Sequence, residues 1–266
     1  GRNFDKPVDQ ICANALQLIT EGADILDIGG VSTRPGSVEP SEEEELERLL
    51  PVIRAIRASP NDQLKNCIIS VDTYRSGVAR KCLENGADII NDVMMGLYDE
   101  NIFDVVAEFG CPYIINHTRG TTETMLSLTT YRSNTNEDII EYVTDSTQEY
   151  IEPTAGEVLN LTRGISRELL LQLKKAYGAG VKKWQIIIDP GVGFAKNMHQ
   201  NIAIIRNASF FKKYSVLINE RESDHVSHSY LSFNGLPTLI GTSRKQFIEV
   251  ITQQPVASDR VIGTAA

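Results

Sequence analysis

The sequence predicts an α/β fold of the TIM (β/α)8 barrel class, and three features carry that expectation. Short apolar runs alternate with amphipathic stretches, a helix-glycine-strand unit recurs, and polar residues collect at the C-terminal ends of the runs. The runs are almost continuously apolar, as expected for parallel strands covered on both faces. Polar residues at many strand ends favour a barrel, whose site draws on several strands, over an open sheet with one switch point.

The opening helix carries Val8, Ile11, Cys12, Ala15, Leu18 and Ile19, the 3.6-residue stripe of a helix covering a sheet. Gly22 is a natural stop for it, and Ala23-Asp24 lead into a strand at 25–28. The same step recurs as Asn85-Gly86-Ala87-Asp88 before a strand at 88–92. A second helix starts on a capping box, Ser41 with Glu44, and runs through Leu46, Leu49, Leu50, Ile53 and Ile56. Further strands are expected at 67–72, 113–117, 185–189 and 238–242. Between 72 and 88 there is room for a helix of about three turns, so the strands on either side should join by a parallel crossover.

Segments 118–183 and 191–237 are longer than a crossover needs and contain insertions. The first is expected to hold helices near 138–150 and 166–178. The second contains 221–229, polar and without periodicity, which reads as an exposed surface insertion. Within it His225 and His228 stand three apart and could pair on a metal, although a solvated loop is the simpler expectation.

The 266 residues are 41% apolar and 23% charged, a composition that excludes disordered and fibrous classes. One barrel domain over 1–266 is expected, large enough to need no metal or disulfide staple. Lys plus Arg (26) against Asp plus Glu (35) leaves a net charge of −9, the wrong sign for a dedicated nucleic-acid binder. Cys12, Cys67, Cys82 and Cys111 form no CxxC spacing, so free thiols in a reducing compartment are expected. No apolar run reaches the ~18 residues of a membrane span, and 1–7 lacks a signal-peptide core, so a soluble intracellular protein is expected.

Four constellations carry chemistry. Asp27-Ile28-Gly29-Gly30-Val31-Ser32-Thr33-Arg34-Pro35-Gly36 follows a strand and offers glycines for close approach, two hydroxyls and a guanidinium, the parts of an anion or phosphate site. Val71-Asp72-Thr73 with Ile90-Asn91-Asp92, and Asp189-Pro190-Gly191-Val192-Gly193-Phe194, supply carboxylates and an amide. These suit the edge of a planar heterocycle bearing amidine-like N–H groups, selectively, because a wrong ligand leaves buried polar groups unpaired. Gly241-Thr242-Ser243-Arg244-Lys245 runs from a strand end into a helix start and offers cations and N–H donors. Each has a structural alternative: Asp72 capping a helix, Asp189 fixing its Pro-Gly turn, Arg244 pairing with an acidic neighbour.

Taken together and in this order, these motifs resemble dihydropteroate synthase from residue 25 to residue 245. Asn116-His117-Thr118-Arg119-Gly120 is similar to a less strict motif of that family, and the long insertions resemble its eukaryotic members. The resemblance implies condensation of 6-hydroxymethyl-7,8-dihydropterin diphosphate with p-aminobenzoate, giving 7,8-dihydropteroate and pyrophosphate, with Mg²⁺ on the diphosphate. It implies that Asp72, Asn91 and Asp189 hold the pterin, with Asp27 beside them, and that Lys245 contacts its polar edge. Thr33, Arg34, Ser243 and Arg244 would serve the p-aminobenzoate and diphosphate region, and Phe194 would pack on the p-aminobenzoate ring. Asp72, Asp189 and Lys245 are the implied catalytic groups. Also implied are a homodimer, fusion to other folate-pathway domains, a cytoplasmic or mitochondrial location, and no nucleic-acid or membrane partner.

The chain departs from the family pattern in three places. No Asn-x-Thr-x-Asp-Ser-Phe loop is present, so the asparagine expected to help hold the metal, and with it any metal ligand, is not found here. The Arg-x-His pair of an eighth strand is also missing, so the first and last strands of the barrel are expected to be absent. Gln246 stands where many members have a small hydroxyl residue. Two alternatives stay open: a domain that binds pterin without turnover, and a methyltetrahydrofolate-dependent methyltransferase barrel.

Overall fold

A computed structural model describes residues 6–31, 39–121, 124–143, 156–222 and 225–265; Thr33 and Arg34 lie outside them. The elements in order are α1 (Val8–Thr20), β1 (Ile25–Gly29), α2 (Glu42–Arg57), α3 (Asp62–Lys65), β2 (Ile68–Asp72), α4 (Ser76–Glu84), β3 (Ile89–Asp92), α5 (Ile102–Phe109) and β4 (Tyr113–Asn116). They continue with β5 (Ile139–Val143), α6 (Gly156–Gly178), β6 (Ile186–Asp189), α7 (Met198–Arg206), β7 (Tyr214–Glu222), β8 (His225–Ser232), α8 (Gln246–Thr252) and α9 (Val261–Ala265). The chain divides into two compact units, Gly1–Ile115 with Ala176–Ile186 and Asn116–Lys175 with Ile187–Ala266.

The first unit consists of successive β/α steps. Strands β1, β2, β3 and β4 pair in parallel in chain order, and the register aligns Gly29 with Asp72 and Asp72 with Asn91. The expected crossover between 72 and 88 is α4. Ser41 caps α2 as its spacing predicts: Glu44 N donates to Ser41 Oγ (3.2 Å) and Ser41 N to Glu44 Oε2 (2.9 Å). Helix α2 buries Leu49, Val52, Ile53 and Ile56, while Phe103 of α5 meets Tyr113 of β4 edge-on at 5.8 Å. Gln185 is buried here because its Nε2 donates to the carbonyls of Val106 (3.0 Å) and Cys111 (2.8 Å), closing the end of α5.

In the second unit His117 N, just past β4, donates to Asp189 O at the end of β6 (2.8 Å). A separate antiparallel sheet, β5-β7-β8, is tied to α6 by Arg167 Nη1 donating to Glu141 Oε1 (2.5 Å) and by a Lys174–Glu220 ion pair. All four cysteines are free thiols. Among the described residues no helix is long and apolar enough to cross a membrane.

Three sequence expectations are corrected. The run at 238–242 is no strand: Ile188 N donates to Pro237 O (3.0 Å) and Leu239 N to Ile188 O (2.8 Å), and the pairing stops at this one bridge. Pro237 has no N–H to extend the ladder, and Gly241 weakens a strand. The helix expected near 138–150 is instead β5 over Ile139–Val143, with 144–150 outside the described residues. Segment 221–229, expected as a solvated loop, keeps Ser227 and His228 exposed but lies largely in the β7-β8 strands, whose register pairs Val216 with Leu231 and Glu222 with His225. Buried Val216, Ile218 and Leu231 mark its inner face. The positions of β8 on that inner side include Ser227 and Ser229 as well as Leu231, so no apolar alternation marks the strand when its residues are read without their partner. His228 meets Asn219 there, Nδ1 to Oδ1 at 2.9 Å.

Candidate active site

The strand ends of the first unit line up Asp27, Asp72 and Asn91. Asp72 is the last residue of β2, in register with Asn91 of β3. Asn91 Nδ2 donates to Asp27 Oδ2 across the sheet (3.2 Å), and Thr73 N donates to Asn91 O (3.1 Å). Asp27 keeps solvent contact, yet the protein around it raises its carboxyl above the ordinary range, chiefly by desolvation, with the Asn91 amide pulling the other way.

Gly29 and Gly30 serve this row by what they lack. A Cβ on Gly29 would stand 3.3 Å from Asp72 Cβ, and one on Gly30 would stand 2.8 Å from Glu45 Cγ. The two glycines therefore admit protein side chains as well as any ligand. Glu45, fully buried, is paired by Arg75 Nη1 (2.5 Å), and Arg75 Nη2 also donates to Glu39 Oε1 (2.7 Å) and Pro40 O (2.8 Å).

The first N–H of α4 is capped by Asp99, since Ser76 N donates to Asp99 Oδ2 (2.8 Å). Asp92 has a structural task. Its buried carboxylate accepts from Met94 N (2.7 Å), Gly96 N (2.6 Å) and the Tyr113 hydroxyl (2.6 Å), which fixes the turn after β3. Burial still pushes its pKa up to about 6.

The second unit assembles Asp189, Phe194 and Lys245. Asp189 ends β6 and does fix its own turn, since Gly191 N donates to Asp189 Oδ1 (2.8 Å). Burial raises its pKa to about 6, against the Gly191 N–H and the positive charges of Lys245 and Lys196. The Lys245 ammonium stands 4.5 Å from the centroid of the half-buried Phe194 ring, a cation–π contact. Lys245 immediately precedes α8, while Ser243 and Arg244 are exposed in the turn before it. Arg244 takes a left-handed φ of 58°, and its carbonyl accepts from Arg260 Nη1 (3.0 Å).

Four residues outside the predicted set complete this unit's polar interior: His117, Arg119, Glu168 and Lys196. His117 and Lys196 are both buried. Lys196 Nζ donates to Phe194 O (2.8 Å) and to His117 Nδ1 (2.9 Å), so His117 carries its proton on Nε2 and donates that N–H to Glu168 Oε2 (3.0 Å). Arg119 Nε donates to Glu168 Oε2 (2.9 Å), its Nη2 pairs with Oε1, and its guanidinium stacks 3.8 Å from the Tyr131 centroid. Burial lowers Lys196 to about 7. Burial would raise Glu168, but Arg119 and His117 outweigh it and bring it to about 2. One sequence signal could have found Lys196, a cation two residues past Phe194 in a run otherwise of glycine and apolar residues.

Burial, aided by Lys196, lowers His117 to about 4, so it is neutral near pH 7. Its unfolded value is about 6.5, so between these values the folded chain binds fewer protons than the unfolded one. The corresponding stability is present above pH 6.5 and lost as pH falls towards about 4, at most about 3 kcal/mol. His117→Gln should therefore lose less melting temperature than the wild type between pH 6.5 and pH 4. Thermal melts across that window check this, and identical acid slopes would remove the assignment.

The first unit ends its parallel strands in carboxylates and an amide, and the second sets a cation and an aromatic ring beside a carboxylate; each set is of the kind found in α/β enzymes that handle planar polar heterocycles. The chain belongs to the pterin binding enzyme family, matched over residues 1–266, and within it to the dihydropteroate synthases. Dihydropteroate synthase of Staphylococcus haemolyticus is 35% identical over 260 residues, 97% of this chain and 75% of that protein. The mitochondrial folate synthesis bifunctional protein of Arabidopsis thaliana is 36% identical over 259 residues, 97% of this chain and 40% of that protein, so the chain spans two fifths of that relative. Among solved structures, dihydropteroate synthase of Clostridium difficile in the presence of pteroic acid superposes with a TM-score of 0.72 at 28% identity, covering 97% of this chain and 75% of that one. The barrel class expected from the sequence is the class of these structures.

Proposed function

We propose that this chain is the dihydropteroate synthase part of a folate-synthesis polypeptide. It would join 6-hydroxymethyl-7,8-dihydropterin diphosphate to p-aminobenzoate and release pyrophosphate. The observation that carries this is the pair Asp72 and Asn91, in parallel register at the ends of β2 and β3, with Asp27 of β1 reached by the Asn91 amide. An amide that both donates and accepts, beside carboxylates that accept, suits the amidine-like edge of a pterin.

Asp72 and Asn91 would hold that edge. Asp189 would offer Oδ2 to the ring while Oδ1 stays with Gly191 N. Lys245 would meet the ring's carbonyl side, and Phe194 would carry the aryl ring of p-aminobenzoate. Thr33, Arg34, Ser243 and Arg244 would serve the diphosphate and carboxylate ends.

In the reaction the C–O bond between the pterin methylene and diphosphate breaks, and its electron pair leaves with diphosphate. Positive charge spreads into the pterin ring, where the Asp72 and Asp189 carboxylates stabilise it electrostatically. The neutral aniline nitrogen then forms the C–N bond and gives one proton to solvent, so no strong base is needed.

Mg²⁺ would neutralise charge on the diphosphate. Among the described residues no three His, Cys, Asp or Glu side chains stand together, so the diphosphate oxygens themselves would supply most of its ligands. We further propose a homodimer, fusion to other folate-pathway domains and an intracellular location, cytoplasmic or mitochondrial.

The test uses the wild-type chain with both substrates and Mg²⁺. Pyrophosphate release that requires p-aminobenzoate supports the transferase. Calorimetric pterin binding without release supports the binding-only alternative, and methyl transfer from methyltetrahydrofolate supports the methyltransferase.

A further inference from the structure

The loop from Pro190 to Lys196 is held at several points that divide between its two ends. At the Asp189 end, the fastenings are Gly191 N to Asp189 Oδ1 and His117 N to Asp189 O, 2.8 Å each. At the Phe194 end, they are Asn201 Oδ1 accepting from Gly193 N (2.7 Å), Lys196 Nζ donating to Phe194 O (2.8 Å) and the Tyr131 hydroxyl donating to Ala195 O (3.3 Å). The Lys196 side chain therefore fastens the Phe194 end. It is 3% exposed, and its ammonium is carried by a line of polar groups, buried His117, then half-buried Glu168 and Arg119. A buried ammonium is costly without such partners, so a line satisfied at each link is a fixed strut rather than a loose contact.

We propose that Lys196 is a positioning residue for the aryl-amine subsite, holding Phe194 and itself held by the line His117–Glu168–Arg119, which ends on α6 and on the Tyr131 ring. The proposal rests on the transferase assignment of Phe194 to the p-aminobenzoate ring. Asp189 is fastened by hydrogen bonds that do not use the Lys196 side chain and feels it only through its charge, beside that of Lys245, so loss of Lys196 acts chiefly on one of the two substrates. The p-aminobenzoate end loosens and the pterin end holds.

Three variants test this. Lys196→Met keeps the length and removes both hydrogen bonds and charge, Lys196→Gln keeps a donor for the Phe194 carbonyl, and Glu168→Gln alters the line without touching the loop. Lys196→Met should raise the KM for p-aminobenzoate about tenfold or more, with the pterin diphosphate KM moving less than about threefold. Lys196→Gln should recover part of that loss, and Glu168→Gln should move the KM in the same direction by less. Amide hydrogen exchange at 191–196 should quicken about tenfold in Lys196→Met, with exchange in β1 to β3 unchanged.

An unchanged p-aminobenzoate KM in folded Lys196→Met, an equal rise in both KM values, or unchanged exchange in the loop would overturn the proposal. If the wild-type chain releases no pyrophosphate, the transferase assignment fails instead. The exchange comparison then still decides whether Lys196 fastens the loop.

Discussion

In a chain carrying Asp72→Asn, pyrophosphate release at saturating substrates is expected to fall by about two to three orders of magnitude. The substitution is nearly isosteric, and the cap of α4 comes from Asp99, so the fold should survive. What is lost is the negative charge at the end of β2, in register with Asn91 on the neighbouring strand. That charge matters most when the pterin ring becomes cationic, so kcat should drop far more than p-aminobenzoate affinity. Steady-state kinetics with calorimetry of p-aminobenzoate separates the two effects. Wild-type turnover in a folded Asp72→Asn chain would refute the role.

Gly191→Ala should have the largest effect on stability. Gly191 sits at φ 74°, and a Cβ there would stand 1.9 Å from the His117 carbonyl oxygen and 2.9 Å from its carbon. Both obstacles are backbone and cannot rotate away. Relief would have to shift the turn in which Gly191 N donates to Asp189 Oδ1. Left-handed strain and overpacking together are expected to cost about 3–5 kcal/mol. That corresponds to a fall of about 10 °C or more in the melting transition. Gly178→Ala is the control, since a Cβ there meets nothing within 4 Å and the residue ends helix α6. Equal melting temperatures for Gly191→Ala and Gly178→Ala would remove the close-approach argument.

These expectations begin from residues that the sequence already singles out, for reasons that differ along the chain. Strands β1 to β4 and β6 are legible because a parallel strand covered on both faces is apolar along its whole length, a signal contained in four or five adjacent residues. The capping box of α2 and the glycine stops are equally local. Asp27, Asp72, Asn91 and Asp189 are legible because each sits at or near the end of such a run.

Strand β8 is not legible in this way. It pairs along its length with β7, and half of its residues face outward, so its partner stabilises a stretch that looks like a polar loop by itself. The run at 238–242 fails in the opposite sense. It has the composition of a strand, but only one bridge to Ile188 forms.

By itself the sequence determined the α/β class, the parallel strands and the carboxylates and amide that end them, because helix periodicity, strand polarity and glycine stops are properties of neighbouring residues. The tertiary structure alone decided that Lys196 meets His117 across 79 positions and that His117 meets Glu168 across 51. It also decided that Gly30 makes room for Glu45 and Gly191 for a backbone carbonyl. A buried ammonium, a neutral imidazole and a carboxylate held near 2 arise only when distant segments remove water together and leave each group its partners as the remaining source of stabilisation.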